Sequence, residues 1–194
     1  MLITLMGKSG SGKTTISSLF VQLDNNIKIL DVDKIVHHVY DNQDVKNKVV
    51  SSFGNYILNK DETVNRKTLG KIVFNNQSKM QILCDITYSY MEKEIDKFIS
   101  KNKTVLLDYA LIPKTKYFNL SDIKILIKAD KNVRGERIKQ RDKISLEDFL
   151  LRDSNSLDYL DLNFDYIIDN NFDIDNLRKA VLKIYEESIV PRKL

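Results

Sequence analysis

The residues best equipped for chemistry lie close to the start of the chain. Gly7-Lys8-Ser9-Gly10-Ser11-Gly12-Lys13-Thr14, with Thr15 next, fits the pattern G-x-x-x-x-G-K-S/T. Glycines at that spacing let the backbone enter conformations closed to other residues, so that successive amide N–H groups turn inward and cradle phosphate oxygens. A helix beginning at the end of the loop adds its positive dipole end to the same anion. In such a loop Lys13 reaches the β- and γ-phosphates of ATP, and the Thr14 hydroxyl coordinates Mg²⁺. Gly7, Lys8, Ser9, Gly10, Ser11, Gly12, Lys13, Thr14 and Thr15 are therefore the expected nucleotide contacts. The flanking sequence supports this: Leu2–Met6 is a nearly all-apolar run that reads as a buried strand. Ile16, Leu19, Phe20 and Leu23 have helical spacing across Thr14–Leu23.

Carboxylates follow two further apolar runs. Ile27–Leu30 ends at Asp31, with Asp33 two residues on, and Thr104–Leu107 ends at Asp108. Ligands of an open parallel sheet bind beyond the carboxyl ends of its strands, so all three acids are expected on the loop side. Asp108 is the expected metal-supporting acid. Asp33 is the candidate for taking a proton from an acceptor hydroxyl, a task that asks for position more than for an unusual pKa. The other reading of Asp31 and Asp33, not exclusive of the first and weaker for Asp33, is an N-cap of the helix that Ile35, Val36 and Val39 predict.

Arg134, Arg137 and Arg141 fall on one face of the charged helix expected over Lys131–Asp142, and Arg152 lies on the next segment. Guanidinium groups on a mobile lid can stabilise charge on a transferring phosphoryl group and exclude water. A solvated face paired with Glu136 and Asp142 would show the same spacing. His37 and His38 sit beside Asp33, while Cys84 lies on an apolar stripe and reads as core. No Cys/His cluster suggests zinc.

Strands alternate with helices along the chain. Ile123–Ile127 and Phe164–Ile168 read as the fourth and fifth strands, Leu146–Leu151 as a helix and Asp173–Ser188 as a closing amphipathic helix. Short helices fill residues 31–74, one of them ending at Gly54. A long helix over Ser78–Ser100 turns Met80, Leu83, Cys84, Tyr88, Met91, Ile95 and Phe98 inward. The fold class is α/β, a three-layer P-loop sandwich on a five-stranded parallel sheet.

The 194 residues fit one domain. That length leaves room for a smaller appended lobe. A net charge of +4 favours anionic small molecules, but the basic residues are interspersed with acids, which argues against nucleic acid. No apolar run approaches the ~20 residues of a membrane span. No secretory signal is evident, and a lone cysteine fits a reducing cytoplasm. Oligomeric state is open between a monomer and a small homo-oligomer.

Three stretches together resemble the dephospho-coenzyme A kinase family: the phosphate loop; Asp31-Val32-Asp33-Lys34-Ile35-Val36-His37, which looks like that family's D-A-D-x-I-A-H; and Arg137-Ile138-Lys139-Gln140-Arg141-Asp142, which looks like its R-L-x-x-R-D. Phe53-Gly54 with Arg66, Leu69, Val73 and Phe74, and Ile168-Asp169-Asn170, echo further family segments in order. The resemblance implies transfer of the ATP γ-phosphate to the ribose 3′-hydroxyl of dephospho-coenzyme A, by a chain divided into a nucleotide core at 1–33, 101–130 and 156–194, a helical acceptor lobe at 34–100 and a lid at 131–155. It makes Asp33 the base, His37 and Arg66 acceptor-site residues, Arg137 and Arg141 lid arginines, and Asn170 a neighbour of adenine. Ala110 and Lys114 stand where the family has proline and an acid, Thr87-Tyr88 where it has His-Pro, and Ser156 where it has glutamine. A kinase for a nucleoside or nucleotide is the alternative these changes suggest. A GTPase switch is disfavoured, since no D-x-x-G occurs and Asn59-Lys60-Asp61-Glu62 misses N-K-x-D.

Overall fold

The computed structural model describes residues 1–74, 76–159 and 161–192. Five parallel strands, β1 (Leu2–Met6), β2 (Ile27–Asp31), β3 (Thr104–Asp108), β4 (Ile123–Lys128) and β5 (Tyr166–Asp169), form one sheet in the order β2-β3-β1-β4-β5. Each of β1 and β3 is buried at all five residues, as strands covered on both faces must be. Leu5 pairs with Asp108, and Asp108 with Asp31.

The helices in chain order are α1 (Lys13–Leu23), α2 (Val32–His37), α3 (Gln43–Phe53), α4 (Arg66–Phe74), α5 (Gln77–Lys101), α6 (Tyr117–Leu120), α7 (Lys131–Asp142), α8 (Leu146–Ser154) and α9 (Ile174–Ile184). Two compact units result. One comprises residues 1–31 and 101–194, the other 32–100. In the first, Ile3, Leu5, Ile16, Phe20, Leu106, Ile125, Val181 and Ile184 pack the sheet against α1 and α9. The second has its own core, built from Val39, Val45, Val49, Phe53, Ile57, Leu69 and Val73, against which Met80, Leu83 and Ile86 of α5 pack. Gly54 caps α3 at φ 89°.

Three expectations need correction. Tyr88 of the long helix is exposed, while Met91 and Ile95 are buried. The last strand begins at Tyr166, because Phe164 turns aside to meet Phe118 and Tyr159 edge-on. The closing α-helix stops at Ile184 and continues as a π turn over Tyr185–Ile189. Among the described residues no helix is long and apolar enough to cross a membrane.

Candidate active site

β1 runs directly into the phosphate loop, and Gly12 at φ 99° serves as the N-cap of α1. No side chain caps that helix, and no acid sits in its first turn. Its leading N–H groups are thus left to an external anion. Glycine is required at position 12 on two counts. The backbone is left-handed there, and a Cβ would lie 2.1 Å from Asn170 Nδ2. Lys13 Nζ donates to Gly7 O at 3.1 Å, folding the lysine over the loop. Ser11 Oγ is buried and has no hydrogen-bond partner among the described residues. A buried hydroxyl of that kind carries a desolvation cost that a phosphate oxygen would relieve. Thr14 and Thr15 are exposed at the start of α1.

The loop carbonyls are held from outside. Asn170, just past β5, donates Nδ2 to Ser11 O at 2.7 Å and is buried. Arg137 on α7 donates to Gly10 O at 3.4 Å and to Asn170 O at 3.0 Å. Asn170 and Arg137, separated by 33 residues, thus meet on the loop. Arg141 does not join them: it is exposed and paired with its neighbour Asp142 at 2.6 and 2.8 Å. Arg134 is buried against Asp153 and, like Arg137, reaches the loop, donating Nη1 to Ser9 O at 3.3 Å.

Asp108 is buried at the end of β3, with half-buried Asp31 beside it in register, so two carboxylates stand at the edge from which the loop leaves β1. A cavity of about 360 Å³ opens against Lys8 and is lined by Lys128, Asp130, Asp158, Asp169 and Asn171. Among the described residues no group of three or more His, Cys, Asp or Glu side chains could hold a metal. A magnesium ion here would depend on phosphate oxygens and water for most of its shell.

The other unit holds Asp33, His37 and Arg66. Asp33 is exposed in the first turn of α2, inside the helix and not at its cap. Arg66 Nη2 donates to His37 O, and its guanidinium lies 5.0 Å from the Tyr40 ring centre. Burial raises the Tyr40 hydroxyl pKa, and the Arg66 charge opposes that rise. His38 is 2.8 Å from Asp41 Oδ2 on the surface. Burial, then the charge of Asp85, push the Cys84 thiol up, the reverse of what a nucleophile needs. The departures from the family pattern are also placed. Thr87 Oγ1 turns back to Leu83 O at 2.9 Å, Ala110 O accepts from Tyr159 Oη at 2.7 Å, and Ser156 Oγ donates to Asp153 O at 2.6 Å.

Sequence reasoning missed Tyr40 and Asp153. A signal for Asp153 existed, because it stands one helical turn after Phe149 on α8, and a carboxylate on that buried face must find a partner.

A Thermus thermophilus protein of known crystal structure matches the whole chain and 97% of its own, with a TM-score of 0.80 at 18% identity, which establishes the fold. The dephospho-CoA kinase of Campylobacter jejuni matches at TM-score 0.59 and 27% identity over 96% of both chains. With the phosphate loop at the end of a central parallel strand, these likenesses put the chain among the P-loop kinases. The family profile described as Dephospho-CoA kinase matches residues 1–176. The Aquifex aeolicus dephospho-CoA kinase is 33% identical over 191 residues, 95% of this chain and 96% of that one. The chain belongs to the dephospho-CoA kinase family.

Proposed function

We propose that this chain transfers the γ-phosphoryl group of Mg-ATP to the 3′-hydroxyl of dephospho-coenzyme A, with the work divided among its residues as follows. The amides of Gly10–Thr15 cradle the phosphates, and Lys13 leaves Gly7 O to meet the β- and γ-phosphates. Magnesium, when bound, neutralises charge on those phosphates, and Thr14 with Asp108 would hold it. Asp33 accepts the proton of the 3′-hydroxyl as that oxygen bonds to the γ-phosphorus and the bond to the β-γ bridging oxygen breaks. Asp31, His37 and Arg66 bind the acceptor. Arg137 and Arg141 stabilise the charge of the transferring group from the α7–α8 segment, and Asn170 flanks the adenine. A free cysteine suits the reducing cytoplasm in which we place the reaction.

The observation that carries the reading is the phosphate loop. Its glycine conformations, the lysine bridging to Gly7 O and the partnerless Ser11 hydroxyl all suit a bound polyphosphate. Family membership supplies the acceptor. The test is ADP release from Mg-ATP with dephospho-coenzyme A, set against a panel of nucleosides and nucleoside monophosphates. Turnover with dephospho-coenzyme A alone is expected; turnover only with a nucleoside or nucleotide would overturn the acceptor assignment.

A further inference from the structure

Arg134 and Asp153 form an ion pair at 2.5 Å with side chains only 6% and 8% exposed. The pair joins three pieces of backbone. Arg134 Nε donates to Ala129 O at 3.1 Å, where β4 gives way to α7. Its Nη1 serves both Asp153 on α8 and Ser9 O on the phosphate loop, the latter at 3.3 Å. Phe149 of α8 lies against the guanidinium, 5.7 Å from its ring centre. Gly10 sits so close to this helix that a Cβ would meet Arg134 O at 2.8 Å.

The contact with Ser9 matters because a trans peptide points its C=O and N–H in opposite directions. A carbonyl pulled outward turns the next N–H inward. Asn170 does this to Ser11 O, and so to the Gly12 N–H; Arg137 holds Gly10 O. Arg134 holds Ser9 O, and so aims the Gly10 N–H into the cradle. Asp153 in turn sets the rotamer of Arg134 and balances its charge.

We infer that Arg134 and Asp153 are positioning residues for phosphoryl transfer: through the Ser9 carbonyl they hold the outer rim of the phosphate loop in its anion-binding shape. The inference rests on the reading of that loop as an ATP site. A pair serving only to join α7 to α8 would show the same burial, so stability and nucleotide affinity must be separated. The double variant Arg134→Met/Asp153→Leu separates them. It removes one charge of each sign, leaving the net charge unchanged. Replacing a buried pair by apolar groups of similar size is commonly neutral for stability.

The measurements are thermal melting, fluorescent ATP-analogue binding, and separate KM values for ATP and acceptor. The double variant is expected to melt close to wild type while nucleotide affinity falls about tenfold, the scale of one charge-assisted hydrogen bond. kcat/KM for ATP should fall by a similar factor, with the acceptor KM unchanged. Wild-type nucleotide affinity in a folded double variant overturns the inference. Should that variant fail to fold, Arg134→Lys decides: it keeps the charge but offers one nitrogen for three acceptors. A several-fold loss of affinity is expected there, and none would overturn the inference. If wild-type protein itself does not bind the analogue, the ATP-site reading fails instead, which keeps the two failures distinct.

Discussion

Replacing Gly12 by alanine tests the loop geometry most directly. Alanine at φ 99° carries the left-handed penalty of about 1–2 kcal/mol. Its Cβ, 2.1 Å from Asn170 Nδ2, would drive that buried amide from its place. Asn170 would then lose its 2.7 Å bond to Ser11 O, leaving a buried polar group exposed to a cost of about 1–3 kcal/mol. Together these make about 2–5 kcal/mol, which for a chain of this size is roughly 4–20 °C in melting midpoint. Because both costs fall on the cradle, nucleotide affinity should drop by about two orders of magnitude. Differential scanning fluorimetry with and without Mg-ATP, and titration with a fluorescent ATP analogue, read the two effects. Gly70→Ala is the control: on α4, with no atom within 4 Å of a new Cβ, it should raise stability by about 1 kcal/mol. A Gly12→Ala protein that melts with wild type and binds nucleotide within twofold would refute the reasoning.

Further outcomes are expected. Lys13→Ala should abolish phosphotransfer while circular dichroism and melting stay close to wild type, since the lysine side chain is tied to the loop by a single hydrogen bond to Gly7 O among the described residues. Asp33→Asn should lower kcat by about 10²–10⁴ with little change in KM for ATP, the range for loss of a positioned base, as steady-state kinetics would show. Arg137→Ala should weaken ATP binding and lower kcat together. Arg141→Ala, whose surface pair with Asp142 contributes little to folding, should lower turnover without moving the melting midpoint. Arg134 holds the Asp153 carboxyl below the usual carboxylate range, so this ionised group stabilises the fold above its unfolded value of about 3.9. That contribution is lost as pH falls through the lower folded value, and acid melting curves of Asp153→Asn should show a smaller loss there than wild type.

The first four strands were legible because each is a short apolar run ending in a loop or a carboxylate, and the loop was legible because its glycines and lysine are contiguous. What failed depended on distant partners. Arg134, Arg137 and Arg141 look alike along α7, yet their surroundings differ. Asp153 arrives on α8 to bury the first, Asn170 beyond β5 engages the second, and solvent surrounds the third. Phe164 carries the apolar pattern of a strand but is claimed by aromatic neighbours. Tyr88 continues the helical spacing of Cys84 and Met91, yet it faces solvent, because a helix of 25 residues presents more apolar side chains than its neighbours cover. In the site, the carboxylates at the strand ends followed from topology. The contact of Arg66 with Tyr40 did not, since 26 residues separate two side chains that meet only when the turn of residues 39–41 and α4 share the core of the second unit.

The strand order has a consequence for synthesis on the ribosome. β1 has only β3 and β4 as neighbours, and β2 only β3. The strand leading into the phosphate loop therefore waits about 100 residues for its first partner, on the order of 10 s at ordinary translation rates. The intervening segment 32–100, with a hydrophobic core of its own, can collapse during that interval. The nascent chain would then acquire a folded insert while its nucleotide site is still unformed, and ATP could add stability only after β3 has joined the sheet.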